Sequence, residues 1–262
     1  MASLKRHHAC RRTLVFLALF AAAACAAQTP PPAAGNGRVP VLIELFTSEG
    51  CSDCPPADRL LEEIDTRQPI PGVQAIVLSE HVTYWNHQGW TDPFSLDDID
   101  MRQKDYGDEF KLESVYTPQA VVDGSAQMVG SRGPDLAKAI EHAAATPKQP
   151  LTIADAHWDN GNVSFSVHAA PQSGSRLVAA LAADATGPKV TAGENQGRTL
   201  HHVAVVRTIK EFNAGAVDGR VLKLSGGSLA KQAAPSPVRL VVFLVEKKSG
   251  HVTSVAEQNL SR

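Results

Sequence analysis

Residues 39–46 (VPVLIELF) form one run of β-branched and large apolar side chains, interrupted only by Glu44, and predict a buried strand. Thr47-Ser48-Glu49-Gly50 breaks the run. Pro55 and Pro56 then fit the first turn of a helix, where backbone N–H groups have no intrahelical partner. Leu60, Leu61 and Ile64 recur at helical spacing behind them. A second apolar run, residues 73–79 (VQAIVLS), predicts another strand and leads into a segment dense in aromatics and histidines, residues 80–90. Leu96, Ile99, Met101, Tyr106 and Phe110 predict a helix within 95–112, opened by a Ser95–Asp98 capping box. Short apolar runs at 120–122 and 126–129 flank Asp123-Gly124, a hairpin signal. Gly133-Pro134-Asp135 opens a further helix through Leu136, Ala137, Ile140 and Ala144.

Beyond a linker at 146–150 (TPKQP) the texture changes. Residues 151–158, 163–169, 177–182, 199–209, 221–224, 238–246 and 252–257 alternate or run apolar, separated by Gly/Asn/Asp/Ser clusters such as Asp159-Asn160-Gly161-Asn162. Some seven strands without helical patterns between them predict an antiparallel β-sandwich over 151–262. Glu194 and Arg198 bracket the turn before the longest strand and suit either a ligand site or a loop-bracing ion pair. His201 and His202 fall on opposite faces of that strand.

The amino terminus reads as an address. Residues 1–12 are basic, residues 14–24 are an unbroken apolar run of 11, and small residues follow, so 1–27 has the parts of a secretory signal peptide. Cleavage after Ala24 would expose Cys25 in the place a lipid anchor takes in bacterial lipoproteins, although Ala22 stands where such signals carry Leu. Residues 28–38 are rich in Pro, Ala and Gly and read as a flexible linker. The expected location is periplasmic or secreted, or membrane-anchored through Cys25. No apolar run reaches the roughly 18 residues needed to span a bilayer. The formal charge is −2 over 262 residues, and the leader takes away four basic residues and no acid, so nucleic acid is not an expected partner.

Of the four cysteines, only Cys51 and Cys54 stand in the folded part, spaced C-x-x-C. A bridge over so short a loop contributes only roughly 2 kcal/mol by chain entropy, so the pair suits redox or metal chemistry better than a staple. A four-cysteine zinc site is excluded, since no second pair exists, and no cofactor or resident metal is expected. The pair falls between a buried strand and a helix start, whose free N–H groups favour a thiolate at Cys51. Thiolate is the attacking species in disulfide exchange. Glu44 is either a buried proton acceptor for Cys54 or an acid facing solvent on an alternating strand. Tyr84, Trp85 and Trp90 are candidates for a substrate-facing wall or for core packing, and His81 for a structural or a catalytic role.

The element order over 39–146, with C-x-x-C at the first strand-to-helix junction, resembles the thioredoxin fold. The resemblance implies a cis bond before Pro118, facing the disulfide and helping to receive substrate. It also implies that Thr117 stands where periplasmic disulfide isomerases carry threonine, and that Glu44 corresponds to the buried acid. Gly50 departs from the usual tryptophan, and Ser52-Asp53 from the usual Gly-Pro or Pro-His. The strings FTSEGCSDCPPAD, HVTYWNHQGWTDPF, SVYTPQAVVDG and GENQGRTLHHVAVVR resemble a secreted bacterial thioredoxin-like family classed as a domain of unknown function. The expected fold is therefore an α/β thioredoxin-like domain followed by an antiparallel β-sandwich.

Three functions fit this chemistry. One is a thiol–disulfide oxidoreductase acting on protein or small-molecule thiols and disulfides, with Cys51 attacking, Cys54 resolving, Glu44 shuttling the proton and Thr117-Pro118 positioning substrate. Another is Cu(I) handling by Cys51 and Cys54, with His81 as a third ligand. The last is a redox-inactive binding module whose β-domain carries the partner site. The thiolate-stabilising position of Cys51 favours the first.

Overall fold

The computed structural model describes Met1 and residues 37–170, 174–231 and 237–261. The leader beyond Met1, Cys25, and residues 28–36 of the predicted linker lie outside the described residues. The first apolar run is β1 (Val39–Thr47). It is followed by α1 (Cys54–Arg67), which has Pro55 and Pro56 in its opening turn and Gln68 closing it in the left-handed region at φ 48°. β2 (Val73–His81) lies parallel to β1, with Thr47 beside His81. α2 (Asp97–Glu109) begins later than the capping-box reading places it. Leu96 is its N-cap, and Ser95 turns its hydroxyl to the Asp92 carbonyl instead. Asp97, Asp98 and Asp100 in the first turn complement the helix dipole in place of a side-chain cap. β3 (Gln119–Val122) and β4 (Ala126–Val129) form the expected hairpin across Asp123-Gly124, both at positive φ. α3 (Gly133–Ala144) closes this half.

The later strands are β5 (Leu151–Asp159), β6 (Asn162–Ala169), β7 (Ser175–Thr186), β8 (His201–Asn213), β9 (Val221–Ser225), β10 (Val238–Glu246) and β11 (Val252–Leu260). Their existence follows the sequence pattern. Their arrangement does not.

The expectation of an α/β thioredoxin-like domain followed by a β-sandwich is corrected by the sheet order. One mixed sheet of eight strands runs β11-β10-β7-β8-β2-β1-β3-β4, and only β5, β6 and β9 form a second sheet. β8 lies parallel to β2, with Ser79 beside Val205, so strands from both halves of the chain share one hydrogen-bonded layer. The physical reason lies in the interior strands. β7 and β10 are apolar on both faces: Leu177, Ala179 and Leu181 pack toward Val163, Phe165 and Val167 of β6. Val178, Ala180 and Ala182 pack with Val41, Leu42 and the rest of the first core. Strands buried on both faces belong inside a covered sheet, whereas a sandwich strand alternates apolar and polar.

This sheet sets where the chemistry sits. Along β1, Thr47 turns its hydroxyl to Asp58 of α1, while Phe46 packs edge-on against Tyr106 of α2 with ring centroids 6.0 Å apart. Successive side chains on a strand point to opposite faces. α1 and α2 therefore cover opposite faces of β1. Among the described residues, no helix is long and apolar enough to cross a membrane.

Candidate redox site and the buried charges behind it

Cys51 and Cys54 form a disulfide with Cα atoms 5.4 Å apart. Cys51 ends the loop leaving β1, and Cys54 is the first residue of α1. Both are covered, at 1% and 0% exposure, whereas Ser52 and Asp53 between them face solvent. The backbone of the loop is tied in place: Cys51 N–H donates to the Ser48 carbonyl at 3.2 Å and Gly50 N–H to Ser48 Oγ at 3.0 Å. Pro55 and Pro56 carry no N–H and that of Cys54 is taken by the Cys51 carbonyl, so it is the positive end of the α1 dipole that favours negative charge at an opened bridge.

Three separate segments converge on this loop. Trp85 packs over it so closely that a Cβ on Gly50 would lie 3.1 Å from Trp85 Cβ. The Trp85 indole N–H donates to Thr117 Oγ1 at 2.7 Å, and the Thr117–Pro118 bond is cis. Pro118 and Ala57 of α1 both border Gly130, at 3.5 and 3.2 Å from the position its Cβ would take, which leaves Pro118 next to the opening turns of α1. The loop between β7 and β8 supplies the third segment. Glu194 Oε2 accepts from Ser52 N–H at 3.0 Å. Asn195, fully buried, donates from Nδ2 to the carbonyls of Cys51 at 2.7 Å and Glu49 at 2.9 Å. Arg198 donates to Asn195 Oδ1 at 2.7 Å, so Glu194 and Arg198 brace the cysteine loop and Asn195 rather than each other. Glu194 is held below the usual carboxylate range by the Ser52 N–H and hydroxyl.

Behind the cysteines, on the α1 face, lies a buried group of ionisable side chains. His81 Nδ1 bonds Asp92 Oδ2 at 2.7 Å, and Asp92 also accepts from the backbone N–H of Glu49 and of Phe94. Burial alone would raise the Asp92 carboxyl, but the charge of His81 and these donors pull it down to about 2. The His202 ring stands 4.5 Å from that of His81, with Nδ1 3.6 Å from Asp58 Oδ2 and Nε2 3.8 Å from Glu49 Oε1. Burial opposes charge on His202, but Asp58, Glu49 and Asp92 outweigh it and lift the ring to about 9. Trp90 donates to Glu49 Oε2 at 3.0 Å, and Thr47 donates to Asp58 Oδ1 at 2.8 Å.

Glu44 is elsewhere. It lies on the α2 face of β1, accepting from Arg102 Nε at 2.7 Å and from the Tyr106 hydroxyl at 2.5 Å. Glu80 sits beside the same guanidinium, 3.6 Å away, and its carboxyl is raised well above the ordinary range by burial and by Glu44. Tyr84 turns to Gln103 of α2 at 3.1 Å. Of the residues singled out in the sequence, Cys51, Cys54, Trp85, Trp90, Thr117 and Pro118 gather around the cysteine loop or the charges behind it, Tyr84 reaches Thr117 at the edge of this group with its hydroxyl, and Glu44 lies apart. His81 has its Nδ1 held by Asp92.

Residues 42–245 match the sequence profile of a family described as proteins of unknown function, DUF1223. The chain belongs to the DUF1223 family. Its fold is similar to the crystal structure of protein AGR_C_4864 from Agrobacterium tumefaciens, with a TM-score of 0.60 over 86% of this chain and 96% of that one, at 22% identity. No curated protein matches the chain. For this DUF1223 chain, sequence reasoning passed over Glu49, Asp58, Asp92 and Asn195. Asp58 carried a signal: it stands one helical turn after Cys54, on the same face of an amphipathic helix. Asn195 carried none, because its partners lie 144 and 146 positions away.

Proposed function

We propose that this chain is an exported thiol–disulfide oxidoreductase working through Cys51 and Cys54. The observation that carries the reading is the position of the disulfide at the opening turn of α1, with Asn195 bonded to the Cys51 carbonyl and Glu194 to the Ser52 N–H. In the reducing direction the Cys51 thiolate attacks one sulfur of a substrate disulfide, a Cys51–substrate bond forms, and the other substrate sulfur leaves as thiolate. Cys54 then attacks Cys51 Sγ, reforming the internal disulfide and releasing the second substrate thiolate. The substrate is thereby reduced by two electrons and the dithiol oxidised by two. Trp85 and the Thr117-Pro118 segment border the loop where substrate would lie, and Asn195 must move off Cys51 for it to arrive. Export follows from the basic, apolar and small-residue order of 1–27, and suits a chain holding a disulfide.

The test is the equilibrium reduction potential of the Cys51–Cys54 pair against glutathione. A value between about −120 and −270 mV is expected for an exchange catalyst. A value well below about −300 mV marks an inert bridge and overturns the reading in favour of a binding module.

A further inference from the structure

For Cys54 to attack Cys51 Sγ in the mixed disulfide, its thiol must lose a proton, and Cys54 has no contact with solvent in the oxidised protein. Glu44 is on the far face of β1 and bound to Arg102. Asp58 is on the near one. It follows Cys54 by one turn of α1, which brings the two Cβ atoms within about 5–6 Å. Its Oδ1 is held by the Thr47 hydroxyl, and its Oδ2 is buried without a hydrogen-bond partner.

The groups facing that oxygen continue the pattern. His202 Nδ1 and Nε2 and Glu49 Oε1 are likewise buried without a hydrogen-bond partner, with His202 Nδ1 3.6 Å from Asp58 Oδ2 and His202 Nε2 3.8 Å from Glu49 Oε1. Buried polar atoms are rarely left so, and several in one place call for an account. A metal ion does not supply it: Asp58 and Glu49 meet opposite nitrogens of one imidazole, and no group of three ligands among the described residues is placed to hold an ion. The remaining charged neighbours come from three elements. They are His81 of β2, bonded to Asp92, Asp92 itself in the segment before α2, and Arg207 of β8, whose guanidinium lies 4.6 Å from the Phe94 ring beside His202.

We propose that Asp58 takes the proton of Cys54 in the resolving step and returns it in the reverse direction, and that His202, seated between Asp58 and Glu49, governs how readily it does so. This rests on the oxidoreductase reading and deepens it. As the Cys54 S–H bond breaks, Oδ2 of Asp58 gains the proton, the sulfur's electron pair forms the bond to Cys51 Sγ, and the bond from Cys51 to the substrate sulfur breaks with its pair going to the departing thiolate. Asp58 acts on the reacting thiol. His202 and Glu49 are positioning residues. Glu49 is fixed in turn by the Trp90 indole N–H, which donates to its Oε2 at 3.0 Å.

The experiment uses the reduced full chain mixed with 5,5′-dithiobis(2-nitrobenzoate) in a stopped-flow instrument. Attack by Cys51 releases the first equivalent of nitrothiophenolate, and resolution by Cys54 releases the second. Asp58→Asn is expected to lower the ratio of second to first rate about a hundredfold and to flatten its pH profile, the scale of a lost general base. His202→Gln is expected to shift the inflection of that profile while both phases remain. A second phase in Asp58→Asn within about threefold of the native chain overturns the proposal, since it falls below the smallest ordinary general-base effect. If Asp58→Asn does not fold, as judged by near-ultraviolet circular dichroism, His202→Gln decides, and an unmoved profile overturns it. A native chain that releases neither equivalent overturns the oxidoreductase reading instead.

Discussion

Asn195 closes the disulfide from across the sheet: its side-chain amide donates to the carbonyl of Cys51 at 2.7 Å, over 144 positions of sequence. Because β8 follows that loop and lies beside β2, the strand pairing that joins the two halves of the chain also delivers Asn195 to the cysteines. The second half is therefore part of the candidate site. It shields the bridge and contributes His202 behind it.

Removing that amide opens the bridge. Asn195→Ala deletes two hydrogen bonds to buried carbonyls, at about 1 kcal/mol each, and leaves Cys51 and Glu49 oxygens in want of a donor. The loop's open population rises by about tenfold or more. The rate at which dithiothreitol reduces the bridge, followed by alkylation and mass spectrometry, is expected to rise by the same factor. An unchanged rate would mean that access is controlled elsewhere.

Stability should depend on pH at both ends of the range. His202 has its folded value lifted to about 9 from an ordinary 6.5, so its contribution is complete below 6.5 and is lost as pH rises through 9. The full effect is on the order of 3 kcal/mol. Asp92 is the opposite case, lowered from 3.8 to about 2, so its contribution is present above 3.8 and is lost as pH falls toward 2. Urea unfolding between pH 6 and 10 measures the first slope. His202→Gln is expected to remove it. A slope that survives in that variant assigns the loss to another group.

Much of this was legible in the sequence because it is local. The strand, breaker, cysteine pair and double proline at 39–56 announce themselves by residue type and Trp85 by the aromatic density around it, whereas Thr117-Pro118 stands out only through the resemblance to the thioredoxin fold. Sheet membership is not local. The pattern at 177–183 and 240–245 shows strands, and its continuous apolar character, rather than alternation, is the trace of burial on both faces that a sandwich reading overlooks. The side of β1 that Glu44 faces follows from alternation once Thr47 is placed against α1, but nothing nearby in sequence names Arg102 as its partner, 58 positions on.

Gly187 tests how tightly the buried charges are held. It sits in the loop after β7, and a methyl group there would run directly into Oε1 of Glu49. Gly187→Ala is expected to cost about 1–3 kcal/mol as an overpacked site and to push Glu49 away from His202. The imidazole signals of His202 in a proton NMR titration should then move to lower pKa, since a carboxylate that favours the charged ring has withdrawn. A stability loss without that movement would show that the backbone, rather than Glu49, yields.

The α2 face makes the complementary case. Arg102 holds Glu44 and is flanked by Glu80, with Tyr106 bonded to the same carboxylate, and all four are buried. Arg102→Ala leaves Glu44 buried without its cation, a change that costs about 3–5 kcal/mol in comparable pairs. Glu80, already pushed upward by burial and by Glu44, is expected to move further upward once the guanidinium that lowers it is gone. Urea unfolding at neutral pH measures the cost. The same variant, studied below its unfolding midpoint, separates structural from redox roles. β1 puts Glu44 and the cysteine-facing Thr47 on opposite sides of the sheet, so the Cys51–Cys54 potential is expected to shift by less than about 30 mV, the equivalent of a tenfold change in exchange. A larger shift in the folded variant would bring Glu44 back into the proton chemistry of Cys54, and with it the assignment that the facing of β1 gives to Asp58.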